Sequence, residues 1–208
     1  MSIIIVGLGN PGKEYEKTRH NAGRNVVELI AKNEDFGEFV FNKTAKAFVS
    51  KGTIEKEKVE LVLPEAYVNL SGKTVSAFIK SPKAAKNLLV IHDDLDLPLG
   101  TMKMVFGRGS GGHKGVESIM RAIKTKDFAR IRIGISAASK KNPASAKATA
   151  GRQAKKLKDQ EKVIKLVIGK WKPSEEATVK KVLKKSALAA RLFAFEGIEA
   201  ATMFANTR

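Results

Sequence analysis

A chain of 208 residues is long enough for one α/β domain with a sizeable core, and the absence of cysteine excludes disulfides, a thiolate nucleophile and a Cys-ligated metal. The 43% hydrophobic and 29% charged content is that of a soluble globular protein, and no stretch approaches the ~20 apolar residues of a membrane span. An excess of 39 Lys and Arg over 21 Asp and Glu gives a formal charge of +18, which points to a polyanionic partner, nucleic acid before an anionic membrane.

Ile3-Ile4-Ile5-Val6 is a short β-branched run bounded by glycine, which predicts a buried strand. It lacks a basic lead and is too short for a signal peptide, so the protein is expected in the cytoplasm. Gly7, Gly9 and Gly12 match the G-x-G-x-x-G dinucleotide fingerprint, but that motif needs a helix opening on its last glycine. Pro11 and the polar residues 13–21 supply none, so the glycines are read as a tight turn followed by an irregular loop. The strand delivers Asn10, and the loop delivers His20, to what could be one point.

Gly23 to Lys32 predicts a helix carrying Val26, Val27, Leu29 and Ile30. Residues 44–51 and 58–63 predict two strands joined by a turn over Gly52 to Lys56, the second closed by Pro64. A helical stretch then runs through Ile79. Gly72-Lys73-Thr74 is half of a phosphate-binding P-loop, but Tyr67 stands where the motif requires glycine, so no phosphate cradle is built.

Leu88 to Ile91 predicts a buried strand ending in His92-Asp93-Asp94-Leu95-Asp96, the end of an α/β strand where functional residues collect. This cluster could bind a hard metal or be a solvated acidic turn; with three histidines in the whole chain and no second ligand cluster, no metal is expected. Residues 101–106 predict a strand, and the glycine-rich run Gly107 to Gly115 leads into a helix from Val116 to Ile123, offering backbone N–H groups to an anion. Ser110 lacks the G-x-S-x-G elbow of a serine hydrolase, because position 108 is Arg. Arg130 to Ile135 predicts a strand with alternating arginines on one face.

Residues 139–162 change character: eight Lys or Arg against Asp159 and Glu161 give net +6 with almost no large apolar residues. They are expected to form a mobile basic insertion loop. Glu175 to Phe195 predicts a long amphipathic helix with Val179, Val182, Leu183, Leu188 and Leu192 inward, stopped by Gly197 and followed by a short terminal helix. No second domain and no internal repeat is evident, so residues 1–208 are expected to form one domain.

Five ordered segments carry a resemblance: GLGNPG with Tyr15 and HNAG after it, YVNLSG at 67–72, HDDLDLPLG at 92–100, GGHKG at 111–115 and RIRIGI at 130–135. Together they resemble the bacterial-type peptidyl-tRNA hydrolases over nearly the whole chain outside 139–162. The resemblance implies a single α/β domain, a twisted mixed sheet flanked by helices with C-terminal helices, and metal-independent hydrolysis of the ester joining a peptide to the 3′-terminal ribose of tRNA. It implies no cofactor, no membrane, no protein partner, and a monomer acting on the acceptor stem and CCA end. Lys114 stands where the family usually carries Asn.

The residues suit that task. Ester hydrolysis by water needs a general base near neutrality, and His20 oriented by Asp93 would supply it. Asn10, with Asn69, offers neutral donors for an oxyanion, and an amide at Asn10 would favour N-blocked substrates. Tyr15, Tyr67, Asn69, His113 and Lys114 are the candidate substrate contacts. Lys103, Arg108, Arg130 and Arg132 are the candidate phosphate contacts. A cation at Lys114 is expected to lower the pKa of a nearby His20. The alternative is an RNA-binding protein on the same fold without hydrolysis; a third reading is a metal-dependent hydrolase using His92 and the adjacent acids.

Overall fold

The computed structural model describes residues 2–136 and 161–207. Its frame is a seven-stranded mixed sheet of order β2-β3-β4-β1-β5-β7-β6. The strands are β1 (Ile3–Gly7), β2 (Val40–Asn42), β3 (Ala47–Ile54), β4 (Glu57–Pro64), β5 (Leu88–Pro98), β6 (Met102–Phe106) and β7 (Ala129–Ser136). β4, β1, β5 and β7 form a parallel centre, and β2, β3 and β6 join it antiparallel at the sides. The helices are α1 (Ala22–Asn33), α2 (Ser71–Phe78), α3 (Lys114–Ile123), α4 (161–167), α5 (Glu176–Glu196) and α6 (Ile198–Asn206).

The central strands read as continuous apolar runs because both faces are covered. Alternation divides them cleanly. Ile5, Leu89, Ile91, Ile131 and Ile133 pack with Val26, Val27 and Ile30 of α1 and with Val182 and Phe193 of α5. Ile4, Val6, Leu88 and Val90 pack with Val75 of α2 and with Val116, Ile119 and Ile123 of α3. Each such side chain contributes ~1.5–3 kcal/mol on burial. The result is the expected α/β domain, a mixed sheet between two helical layers.

Several boundaries move from their sequence expectation. β3 and β4 meet across Glu55-Lys56 rather than a turn at Gly52 to Lys56, with Glu55 at φ 52°. The short edge strand β2 has no sequence signal beyond Val40 and Phe41, both exposed. α3 opens at Lys114, two residues before Val116, because the His113 ring accepts from the Val116 N–H as an N-cap, 3.3 Å away. In α5 the inward face is carried largely by Ala187, Ala189, Ala190 and Ala194, and Leu188 is 53% exposed rather than buried. Small residues let that helix pack closely against α1 and α6, which the leucine spacing did not show. Residues 139–160 of the basic insertion lie outside the described residues; Glu161 and Lys162 belong to α4.

One deviation matters most. The strand expected to stop at Ile91 runs on to Pro98, through the whole acidic cluster. β1 stops pairing at Gly7, opposite Ile91, while β5 continues beside β7 as far as Pro98. β5 therefore has a free edge beyond Ile91 on the side where β1 has ended. This gap is the switch point of the sheet, between strands whose connections leave in opposite directions, where α/β folds place their sites.

Candidate active site

Asn10, in the turn after β1, reaches the gap from one side. Its backbone N–H donates to Asn21 Oδ1 at 2.9 Å, and Asn21 Nδ2 returns a bond to the Asn10 carbonyl at 3.0 Å. The Val68 N–H donates to Asn10 Oδ1 at 3.1 Å. With its oxygen so engaged, the Asn10 amide has its NH₂ end left, without a protein partner among the described residues. Asn10 lines the cleft that also contains His20 and Asp93.

The loop carrying His20 is polar in sequence but buried in the structure: Thr18, Arg19 and Asn21 are each 5% exposed or less. It folds as short 3₁₀ turns instead of an amphipathic helix, Lys13–Tyr15 and Arg19–Asn21. Its polar groups are satisfied by distant chain. Arg19 donates to Glu175 at 2.6 Å and to the Ile135 carbonyl at 3.2 Å, and its guanidinium lies 4.6 Å over the Trp171 ring. Thr18 pairs with Lys170 in an isolated β-bridge. Gly23 then lets α1 begin against the sheet: a Cβ there would meet the Ile91 carbonyl at 2.2 Å. His20 is thus fixed from both sides along the chain.

All three histidines of the chain converge on Asp93. His20 Nδ1 lies 2.7 Å and His113 Nε2 3.2 Å from the same Asp93 Oδ1, and His92 Nδ1 lies 2.7 Å from the Asp93 backbone carbonyl. The partners fix the tautomers. A carboxylate and a carbonyl only accept, so His20 Nδ1 and His92 Nδ1 carry protons. His113 Nδ1 accepts from the Val116 N–H, so its proton sits on Nε2 and is donated to Asp93. Arg130 donates to His92 Nε2 at 3.2 Å. Of the three imidazoles, His20 alone keeps a ring nitrogen, Nε2, with no protein partner among the described residues.

Electrostatics follow this arrangement. Burial tends to lower the His20 pKa, but the Asp93 charge and hydrogen bond outweigh it, and the pKa is raised above the ordinary value. This corrects the expectation that Lys114 would lower it: Lys114 is exposed at the cleft rim, and the buried carboxylate dominates. Burial works against ionised Asp93, yet His20 and His113 hold its carboxyl well below the usual range. His92, fully buried beside His113 and Arg130, is pushed well below its ordinary pKa and is neutral.

The cleft has a volume of about 300 Å³. Its polar floor is Asn10, His20, Asp93 and His113, with Lys114 at the rim. Facing them is an apolar wall of Val68, Leu95, Val163, Ile164, Val167 and Ile168. The wall from α4 is the part that sequence reasoning missed. Its apolar residues at i, i+1, i+4 and i+5 were the available signal, but they follow directly on the basic insertion. Gly111 and Gly112, at φ 64° and 81°, form the turn that brings His113 over the strand end.

The other candidates lie apart. Tyr67 and Asn69 are exposed and Tyr15 is half-buried, and none of the three lines the cleft. Lys103 and Arg108 are exposed, and Lys103 stands beside Arg132 in the β6–β7 register. Arg132 donates to Asp94 at 2.5 Å with its side chain 23% exposed. Arg130 is corrected: it is 1% exposed and bonded internally, so it offers nothing to a phosphate in solution. His92, proposed as a metal ligand in the third reading, has both ring nitrogens engaged. Among the described residues, His20, Asp93 and His113 are the one group close enough to share an ion, but the nitrogens facing Asp93 are its hydrogen-bond donors.

A buried carboxylate orients an imidazole whose far nitrogen opens on a cleft beside an amide donor, an arrangement chemically suited to hydrolysis by water. The model of the peptidyl-tRNA hydrolase family matches residues 4–208, and the chain belongs to that family. Peptidyl-tRNA hydrolase from Aquifex aeolicus is 41% identical over 185 residues, covering 88% of this chain and 85% of the relative. The Mycobacterium bovis protein of the same name is 35% identical over 201 residues, covering 96% and 94%. The crystal structure of peptidyl-tRNA hydrolase from Acinetobacter baumannii superposes with a TM-score of 0.82 at 31% identity, covering 99% of this chain and 95% of that one.

Proposed function

We propose that this enzyme hydrolyses the ester between a peptide and the 3′-terminal ribose of tRNA, with His20 Nε2 as the base that takes a proton from the attacking water. The observation that carries this reading is the His20–Asp93 bond of 2.7 Å with the far imidazole nitrogen free at the cleft. Asp93 holds the tautomer and stabilises the imidazolium that forms. The Asn10 NH₂ donates to the carbonyl oxygen as it becomes an oxyanion. His113, donating from Nε2 to the same carboxylate oxygen, holds Asp93 in place. The apolar wall of α4 and Val68 takes a peptide side chain or the terminal base.

The acceptor stem lies outside, along the exposed cations Lys103, Arg108 and Lys114, with the half-buried, Asp94-paired Arg132 beside Lys103. The net +6 of residues 139–162 adds long-range attraction for RNA. Among the described residues no helix is long and apolar enough to cross a membrane. The enzyme acts as a monomer in the cytoplasm on this reading. The non-hydrolytic alternative is not favoured, since Asn10, His20 and Asp93 stand together in one cleft.

Turnover of a purified N-acetyl-aminoacyl-tRNA by the wild type and by His20→Ala tests the proposal. The mutant is expected to lose at least ~10²-fold in kcat, the usual range for a general base being ~10²–10⁴, with tRNA affinity within a few-fold. Near-wild-type turnover by the mutant would remove His20 as the base.

A further inference from the structure

Among the described residues, Arg130 is the largest of the fully buried side chains. Its position is costly. No carboxylate lies within 4.0 Å among the described residues, and its Nε is buried without a partner. A buried cation that lacks an ion pair is hard to retain for packing alone, since an apolar side chain of similar size avoids the desolvation. Arg132, two residues along the same face, has Asp94 for a partner. Arg130 bonds instead to three groups that all lead to the active carboxylate.

Its Nη1 donates to His92 Nε2 at 3.2 Å. A guanidinium can only donate, so it fixes the proton of His92 on Nδ1, from which His92 holds the Asp93 carbonyl at 2.7 Å. Its Nη2 donates to the carbonyls of Arg108 and Gly109 at 3.0 and 2.7 Å. Those residues begin the glycine-rich turn that ends at His113, whose ring lies 4.6 Å from that of His92. One side chain therefore ties together the strand that presents Asp93 and the turn that presents its second histidine. We propose that Arg130, acting through His92, is a positioning residue that sets the Asp93 carboxylate against His20, rather than a contact to tRNA phosphate. Burial of His92, with His113 and Arg130 beside it, keeps that ring neutral and its tautomer single.

The inference rests on the proposed reaction, so the experiment has an arm without it. The His20 pKa is read by NMR on substrate-free protein for wild type, Arg130→Met, His92→Leu and His92→Asn. The groups facing His20 are Asp93 from β5 and His113 from the start of α3, with Asp94 and Lys114 on the cleft. Loss of the Arg130 charge would by itself raise the His20 pKa, so a fall reports displacement of Asp93. In Arg130→Met and His92→Leu the His20 pKa is expected to fall toward the ordinary value, and kcat to drop about 10- to 100-fold, the scale of a displacement near 1 Å. The salt slope of kcat/KM stays as in wild type. His92→Asn, which can still donate to the Asp93 carbonyl, should recover most of both. A wild-type His20 pKa in Arg130→Met overturns the proposal, as does a raised KM with a salt slope shallower by one phosphate contact. A lower kcat matched by a smaller folded fraction, with the pKa unmoved, shows a packing role only and overturns it equally. If the wild type does not hydrolyse the ester, the proposed function fails while the NMR arm still decides the positioning role.

Discussion

Asp93→Asn is the most informative single change. The carboxylate oxygen Oδ1 accepts from both His20 Nδ1 and His113 Nε2, at 2.7 and 3.2 Å. An amide fills the same space, but its oxygen is neutral and its NH₂ end accepts nothing. A hydrogen bond to a charged group contributes ~1.5–3 kcal/mol, and the His20 bond strengthens as the imidazolium forms. At 1.36 kcal/mol per decade, that bond alone accounts for ~10- to 10²-fold. Release of the His20 tautomer adds to this, for a total of ~10²–10⁴ in kcat. The pH dependence has a definite sign. His20 works unprotonated, and Asp93 is what raises its pKa above the ordinary value. Without the charge, the acid limb of kcat/KM moves to lower pH even as the rate falls. Single-turnover hydrolysis of N-acetyl-aminoacyl-tRNA across pH 5 to 9 reads both effects. A mutant with kcat within about threefold of wild type, or with its acid limb in place, refutes the pairing.

Further expectations follow from the same geometry. Unblocked aminoacyl-tRNA should be a poor substrate, and Asn10→Ala should narrow its gap from the N-blocked form, because the Asn10 amide is the donor beside the base; equal wild-type rates on both substrates would refute this. Lys114→Asn should keep kcat, raise KM modestly and make the salt dependence shallower by about one phosphate contact, with the acid limb unmoved; unchanged KM and salt slope would show that Lys114 never meets the RNA. His20→Asn should cost more stability at pH ~5.5 than at pH ~8.5, as measured by denaturant unfolding. The raised His20 pKa makes its bond to Asp93 fully stabilising below its unfolded value of ~6.5, and this is lost as pH rises through the folded value. A difference independent of pH would mean that His20 does not titrate against Asp93.

The order of strands and helices was legible because the central strands are apolar runs and α1 and α3 have clear inward faces, while α5 was legible as a helix but not in which residues face inward. Asn10, His20 and Asp93 were legible because the turn after β1, the HNAG loop and the HD pair are local motifs. What escaped was everything decided by non-local closure. The acidic stretch after Ile91 reads as a turn, since Asp is a poor strand residue. It remains a strand because β7 pairs with it as far as Pro98, opposite Ser136. Arg130 looks like a surface cation by alternation, and only the loop folded over it shows that it points inward. The cleft wall at 163–168 was hidden by the basic residues before it. Buried Thr18 and Arg19 gave no signal, because their partners lie more than a hundred residues away in sequence, at Ile135, Lys170 and Glu175.

On the proposed mechanism, the arrangement also explains how one histidine can be the base when three stand together. Identical rings so close would compete for protons if each had a free nitrogen. Here His92 is closed by Arg130 and the Asp93 carbonyl, and His113 by the Val116 N–H and the Asp93 carboxylate. Their protons are committed to holding Asp93, so its negative charge is directed at His20. The sheet makes this possible by extending β5 past the end of β1. Side chains from the loop before α1 and from the cap of α3 can then meet across one strand edge, although their helices lie on opposite faces. A strand that stopped at Ile91 would not carry Asp93 to that edge, and His20 and His113 would have no shared carboxylate between them.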